Sequence, residues 1–173
     1  ILVSAATGGL TVPREITARM KKMRIIARIP GFTRLLCWLA KRNPSRAAAR
    51  SVRAPELRAR TLGHTQAGRL MRELQVSVTD GFSRRLPGTL NDMAEGATPL
   101  DSVIRAIRCP ILAVHGTADS VVPFAHAERI ARENPRGELM AVEGGEHVAL
   151  FTHLDAIRGR VAAFLGAHDR NLK

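Results

Sequence analysis

Only two cysteines occur in the 173 residues, Cys37 and Cys109, and they stand far apart without C-x-x-C spacing. That scarcity gives no disulfide framework and no zinc site. Both are expected as small buried apolar side chains in a reducing, cytoplasmic compartment. Long hydrophobic runs are also missing. The apolar stretches are broken by Arg, Lys, Gly or Pro well short of the roughly 18 residues that a membrane span needs, so none is expected. The chain opens on Ile1 without an initiating Met or the basic start of a signal peptide, and its first residues, Ile1 to Ala6, are already apolar. This reads as a strand entered midway, with the expectation that the sequence is the second piece of something longer.

Acidic residues are scarce in one stretch. Between Pro13 and Leu86 there are 18 Lys and Arg against 4 Asp and Glu, whereas the remaining residues carry 9 against 11. The net charge of +12 therefore belongs to a single segment. Such a segment can attract acidic substrates, anionic lipid or nucleic acid. Arginine is also a good helix former on solvated faces, which is the weightier reading, and nucleic acid is not expected as a partner.

What is present is a change of pattern along the chain. Ile1 to Ser4 reads as a buried parallel strand closed by the small residues Ala5 to Gly9. From Val12 to about Leu86 the signals turn helical, with Pro13 at a first helical position and apolar residues at Ile16, Met20 and Met23, then Leu35, Leu36 and Leu39. Breaks are expected at Pro30-Gly31, Asn43-Pro44, Pro55, Gly63, Asp80-Gly81 and Pro87-Gly88. A helix is expected over Pro99 to Arg108, with Thr98 as its cap and Asp101 near its positive end. Then come a strand at Ile111 to Val114, a helix at Phe124 to Asn134, a strand at Glu138 to Val142, and a closing amphipathic helix from Leu154 ended by Gly166. The order predicts an α/β fold: parallel strands with flanking helices and an inserted helical segment.

In open α/β sheets, functional groups gather on loops at the C-terminal ends of strands. Asp119 follows the strand Ile111 to Val114, and His147 follows the strand Glu138 to Val142. If those strands are neighbours, the two side chains meet. A carboxylate beside an imidazole accepts its Nδ1 proton, fixes its tautomer and stabilises the imidazolium that forms when Nε2 takes a proton.

The run from Cys109 to Pro123, containing His115-Gly116-Thr117-Ala118-Asp119, resembles the acid-bearing loop of the α/β-hydrolase family. Gly144-Gly145-Glu146-His147 is similar to its histidine loop, and the closing helix ending in Ala162-Ala163-Phe164-Leu165 completes the likeness over roughly Pro99 to Ala167. The resemblance implies a partial α/β-hydrolase fold: core strand and loop at 1–9, a helical cap at 10–95, and the C-terminal part of the core at 96–173. It implies Asp119 as the acid and His147 as the general base.

The family's nucleophile elbow, G-x-S-x-G or its Asp and Cys variants, occurs nowhere in these residues. The nucleophile is expected upstream of residue 1, and this piece alone is expected to be inactive. Ser4, Ser120 and Cys37 are rejected as substitutes, because Ser4 lacks the elbow's glycines, Ser120 sits in the acid loop and Cys37 lies in a cap helix. His64, His115, His126, His153 and His168 are read as structural. Val121, Val122 and Val148, beside the acid and base, and the loop Ala5 to Leu10 are candidates to line the pocket, with Trp38, Phe32 and Phe82 as weaker ones. The expected activity is serine esterase-like hydrolysis of an ester, thioester or amide in a small molecule with an apolar acyl part, with no cofactor or metal. The competing reading is a non-catalytic remnant or anion-binding module that uses the basic helices.

Overall fold

The computed structural model describes residues 1–10, 14–26, 29–98 and 101–169. Their Cα positions group into two compact units: Ile1–Gly9 with Pro99–Lys173, and Leu10–Thr98.

The first unit holds the sheet. Its elements are β1 (Leu2–Val3), α7 (Asp101–Ala106), β2 (Ile111–Gly116), α8 (Ala125–Glu133), β3 (Gly137–Val142), α9 (Ala149–Thr152) and α10 (Leu154–Asp169). The strands are parallel in the order β1-β2-β3, with Leu2 opposite Ala113 and Ala113 opposite Leu139. All six residues of β2 are buried, which explains why it reads as a continuous apolar run. Its alternation sorts the core. Leu112 and Val114 pack with Val142, Ala149, Ile157 and Phe164. Ile111 and Ala113 face the other way onto Ala127 and Ile130 of α8. Asn134 is buried behind α8, where its amide donates to the carbonyls of Ile104 and Ile107 and its Oδ1 accepts the Arg136 amide. It thereby closes α7 and starts the turn into β3.

The second unit is helical: α1 (Arg14–Ile26), α2 (Phe32–Arg42), α3 (Pro44–Ala48), α4 (Pro55–Gly63), α5 (Thr65–Asp80) and α6 (Phe82–Glu95). Most expected breaks mark real boundaries. Asn43 accepts the Arg46 amide on its side chain while Pro44 opens α3. His64 accepts the Ala67 amide on Nδ1 at 3.1 Å, acting as the N-cap of α5. Gly68 is required at that junction, since a Cβ there would lie 2.4 Å from the Leu62 carbonyl oxygen.

Several expectations are corrected. Pro87 and Gly88 do not break the chain but lie inside α6, which runs on to Glu95. Proline removes only one donor near the helix start, and the helix carries the fully buried Leu86 beside it, so packing outweighs the local penalty. Gly166 does not end α10, which reaches Asp169. The last turn is held by His168, whose Nδ1 donates to the Phe164 carbonyl at 2.9 Å and whose ring packs on Phe164. β2 extends through His115-Gly116, two residues past its apolar run. Pro13 and Pro99 lie outside the described residues, as does the Asp101 side chain, so the caps expected there are not described.

Candidate active site

β2 and β3 are neighbours, so the loops that leave their C-terminal ends run side by side. Three hydrogen bonds tie them: Thr117 N–H to the Val142 carbonyl, Ala118 N–H to the Gly145 carbonyl, and Gly144 N–H to Thr117 Oγ1, at 3.0, 2.9 and 2.9 Å. Gly144 adopts φ +64°, a left-handed turn that glycine enters without cost. Gly116 is needed for a different reason. A Cβ at this position would lie 2.1 Å from the Gly145 carbonyl oxygen, so only a bare backbone lets the two loops approach.

This frame brings together Asp119 and His147. His147 Nδ1 lies 2.9 Å from Asp119 Oδ2, with the Asp119 side chain fully buried and the imidazole 40% exposed. With Nδ1–H donated to the carboxylate, Nε2 retains its lone pair. The other carboxylate oxygen, Oδ1, accepts the backbone N–H groups of Val121 and Val122 at 2.8 and 3.0 Å. Burial alone would push the Asp119 carboxyl up. The Val122 amide, the His147 ring and the Val121 amide outweigh it and hold the group below its ordinary value, so it is a carboxylate at neutral pH.

Two further side chains act on the pair: Ser4, set aside above as a nucleophile, and His115, read above as structural. Ser4 Oγ donates to the main-chain carbonyl of His147 at 3.0 Å. His115 is buried at 1% exposure, with Nε2 2.9 Å from the Val122 carbonyl and 3.2 Å from Asp119 Oδ2. The i, i+4 spacing of His115 and Asp119 was visible, but the turn that folds one back over the other was not.

The expected lining residues separate. Val121 is 57% exposed, whereas Val122 is buried at 5%, so Val122 acts through its main chain. Val148 is half-buried at the start of α9. In the loop after β1, Thr7 is buried, and its amide donates to His126 Nδ1 at 3.1 Å. Burial, together with the neighbouring His115, pulls His126 below the usual imidazole range, which keeps Nδ1 an acceptor. Trp38, Phe32 and Phe82 belong to the helical unit, where Arg42 stacks over Trp38 with its guanidinium carbon 5.0 Å from the ring centroid. Cys37 is no activated nucleophile: burial first, then the Asp80 charge, raises its thiol above the ordinary value against the pull of Lys41. Among the described residues, no group of three or more His, Cys, Asp or Glu could hold a metal ion, and no helix is long and apolar enough to cross a membrane.

Strand order, acid loop and histidine loop together define an α/β-hydrolase fold, of which the chain carries the C-terminal portion. Residues 93–170 match the family of TAP-like proteins. Over 82 residues the sequence is 34% identical to polyketide synthase ThaQ of Burkholderia thailandensis, a match covering 43% of this chain and 4% of that one. An α/β-hydrolase fold protein from Nakamurella multipartita superposes with a TM-score of 0.74 at 25% identity, over 94% of this chain and 58% of that one. A thermophilic esterase from Thermogutta terrifontis superposes with a TM-score of 0.60 at 15% identity, over 96% and 54%. A hydrolase from Pseudomonas aeruginosa gives 0.59 at 17% identity, over 95% and 54%. The chain thus spans little more than half the length of these solved structures.

Proposed function

We propose that Asp119 and His147 are the acid and base of a serine esterase-like hydrolase, working with a nucleophile supplied by residues outside these 173. The observation that carries this reading is the 2.9 Å contact between a buried, ionised Asp119 and a half-exposed His147. In the reaction, Nε2 of His147 takes the proton of the nucleophile's hydroxyl as its oxygen attacks the carbonyl carbon. The ionised Asp119 stabilises the imidazolium so formed. The imidazolium then protonates the leaving group as the carbon–heteroatom bond breaks, and a second cycle with water releases the acid. The substrate class in this reading is an ester, thioester or amide of a small molecule with an apolar acyl part, with Val121 and Val148 as the residues proposed to touch it. The helical unit is read as the cap; the two cysteines are free but, against expectation, not buried, Cys37 being partly covered and Cys109 exposed, and a reducing, cytoplasmic setting is the reading that keeps such thiols unpaired.

The test uses the protein extended upstream to include a nucleophile elbow, assayed on short p-nitrophenyl esters. Asp119→Asn is expected to lower turnover about 10,000-fold, and His147→Ala to abolish base catalysis. Unchanged turnover in His147→Ala would overturn the assignment.

A second reading, anion binding by the basic helices, is favoured by one feature. Arg42, Arg46 and Arg50 line a cleft of about 480 Å³ together with Leu36, Leu39, Ala40, Ala47, Gln75 and Thr79. No carboxylate lines it. Cations among apolar side chains suit an amphipathic carboxylate. Decanoate, but not decanol, should bind with an affinity that falls as salt rises, and Arg46→Glu with Arg50→Glu should remove the binding. Equal binding of decanol, or none of decanoate, rejects this reading.

A further inference from the structure

We propose that His115 is a positioning residue for the acid–base pair, holding Asp119 in place through the Val122 main chain and by lying against Asp119 Oδ2. The inference rests on the Asp119–His147 reading above and adds a third side chain to it.

Nε2 of His115 lies between two oxygen atoms. On one side is the Val122 carbonyl oxygen at 2.9 Å, and on the other is Asp119 Oδ2 at 3.2 Å. Both neighbours only accept, so Nε2 carries the proton. The N–H donates to Val122, and its positive end lies against the carboxylate. Val122 passes the constraint on, because its own N–H donates to Asp119 Oδ1 at 3.0 Å. A single residue, Val122, is therefore held at its carbonyl by His115 while its amide, in the preceding peptide group, holds the acid.

Burial makes this arrangement rigid. The side chains of His115 and Asp119 are 1% and 0% exposed, so water cannot replace a lost donor without entering the turn. Phe124 sets the imidazole plane, its ring standing edge-on to His115 at 6.0 Å between centroids and 77° between planes. The site is thus asymmetric: the acid is fixed from behind by its own strand and turn, while the base remains half-exposed. Asp119 can keep its orientation when His147 swings or takes a proton, which an acid held only by its base could not do. The titratable groups that face this turn are His115 from β2, His147 from the loop after β3, and His126 from α8, whose charge is coupled to His115.

The test compares substitutions that keep or move the donor. Glutamine places its amide nitrogen where Nε2 stands, asparagine where Nδ1 stands, and phenylalanine keeps the ring without any donor. In the 173-residue chain, carbon NMR of isotope-labelled Asp carboxyl groups follows the Asp119 titration, and the imidazole signals follow His147. His115→Gln is expected to leave the Asp119 midpoint unchanged. His115→Asn and His115→Phe are expected to raise it and to broaden the His147 ring signals. Where His115→Phe fails to fold, the Asn and Gln pair, alike in polarity, decides. An Asp119 midpoint that is the same in the Asn and Gln variants overturns the proposal. These readings need no turnover, so an extended protein that hydrolyses nothing would refute the hydrolase reading without touching this one.

Discussion

Ser4 and His147 are 143 residues apart in sequence, and the Ser4 hydroxyl donates to the His147 main-chain carbonyl at 3.0 Å. Ser4 pays for this place with a left-handed backbone, φ +46°, which is rare for a residue with a Cβ. Its own N–H is paired with the Val114 carbonyl at 3.0 Å, so the strand end cannot relax without losing a sheet bond. Ser4→Ala should cost about 1 kcal/mol through the lost hydrogen bond. Ser4→Val should cost a further 1–2 kcal/mol or so, because a β-branched residue resists this φ. Urea unfolding of the two variants checks the order, and equal stabilities would reject it.

Gly116 offers a sharper local test. A Cβ placed on it meets the Gly145 carbonyl oxygen at 2.1 Å, the Gly145 carbon at 2.4 Å and the Glu146 oxygen at 3.0 Å, all of them backbone atoms. Gly116→Ala should therefore push the histidine loop away from the acid loop at a cost of about 2–3 kcal/mol. The same change at Gly159 or Gly166, where a Cβ meets nothing, should be neutral or mildly stabilising. Thermal unfolding of the three variants gives the comparison.

Acid should destabilise the sheet unit in two windows. His126 has a folded value below its unfolded one, so the unfolded chain takes the proton first, and stability begins to fall as pH drops below about 6.5. The molecular event is loss of the Nδ1 acceptor that holds the Thr7 amide. Asp119 is also depressed, so its contribution is complete above about pH 4 and disappears as pH falls through its folded value. Denaturant midpoints measured from pH 7 to pH 3 should show both declines. Asp119→Asn should flatten the lower one, and His126→Gln the upper.

In the helical unit, Pro87 interrupts α6 without ending it. Pro87→Ala restores one backbone donor and removes a clash with the preceding turn, offset in part by a more flexible unfolded chain. A gain of about 2 kcal/mol is expected from denaturant unfolding. A loss would mean that the proline serves packing in α6.

What the sequence made legible follows from how local each signal is. β2 announced itself because a strand buried on both faces must be apolar throughout, and Asp119 and His147 were found because each follows a recognisable strand by a few residues, although β3 is only partly buried. The break at Asn43-Pro44 was legible because it is capping chemistry, whereas at Gly63 the cap is the neighbouring His64. Pro87 and Gly166 were misread for the opposite reason: their local penalties are real, but Leu86 burial and the His168–Phe164 contact, which are tertiary, outweigh them. Ser4 and His115 left no local trace of their roles. The Ser4 contact crosses almost the whole chain, and the His115 contact depends on how the acid turn folds back on β2.

The central claim is that Asp119 holds the His147 ring with its proton on Nδ1 and its lone pair on Nε2, ready to accept a proton. The tautomer can be read directly in the 173-residue chain by long-range nitrogen–proton NMR correlations of the His147 imidazole above neutral pH. The account predicts the Nδ1–H form in the native chain and its loss in Asp119→Asn. A native His147 protonated on Nε2, or one whose tautomer ignores the Asp119 substitution, would contradict it.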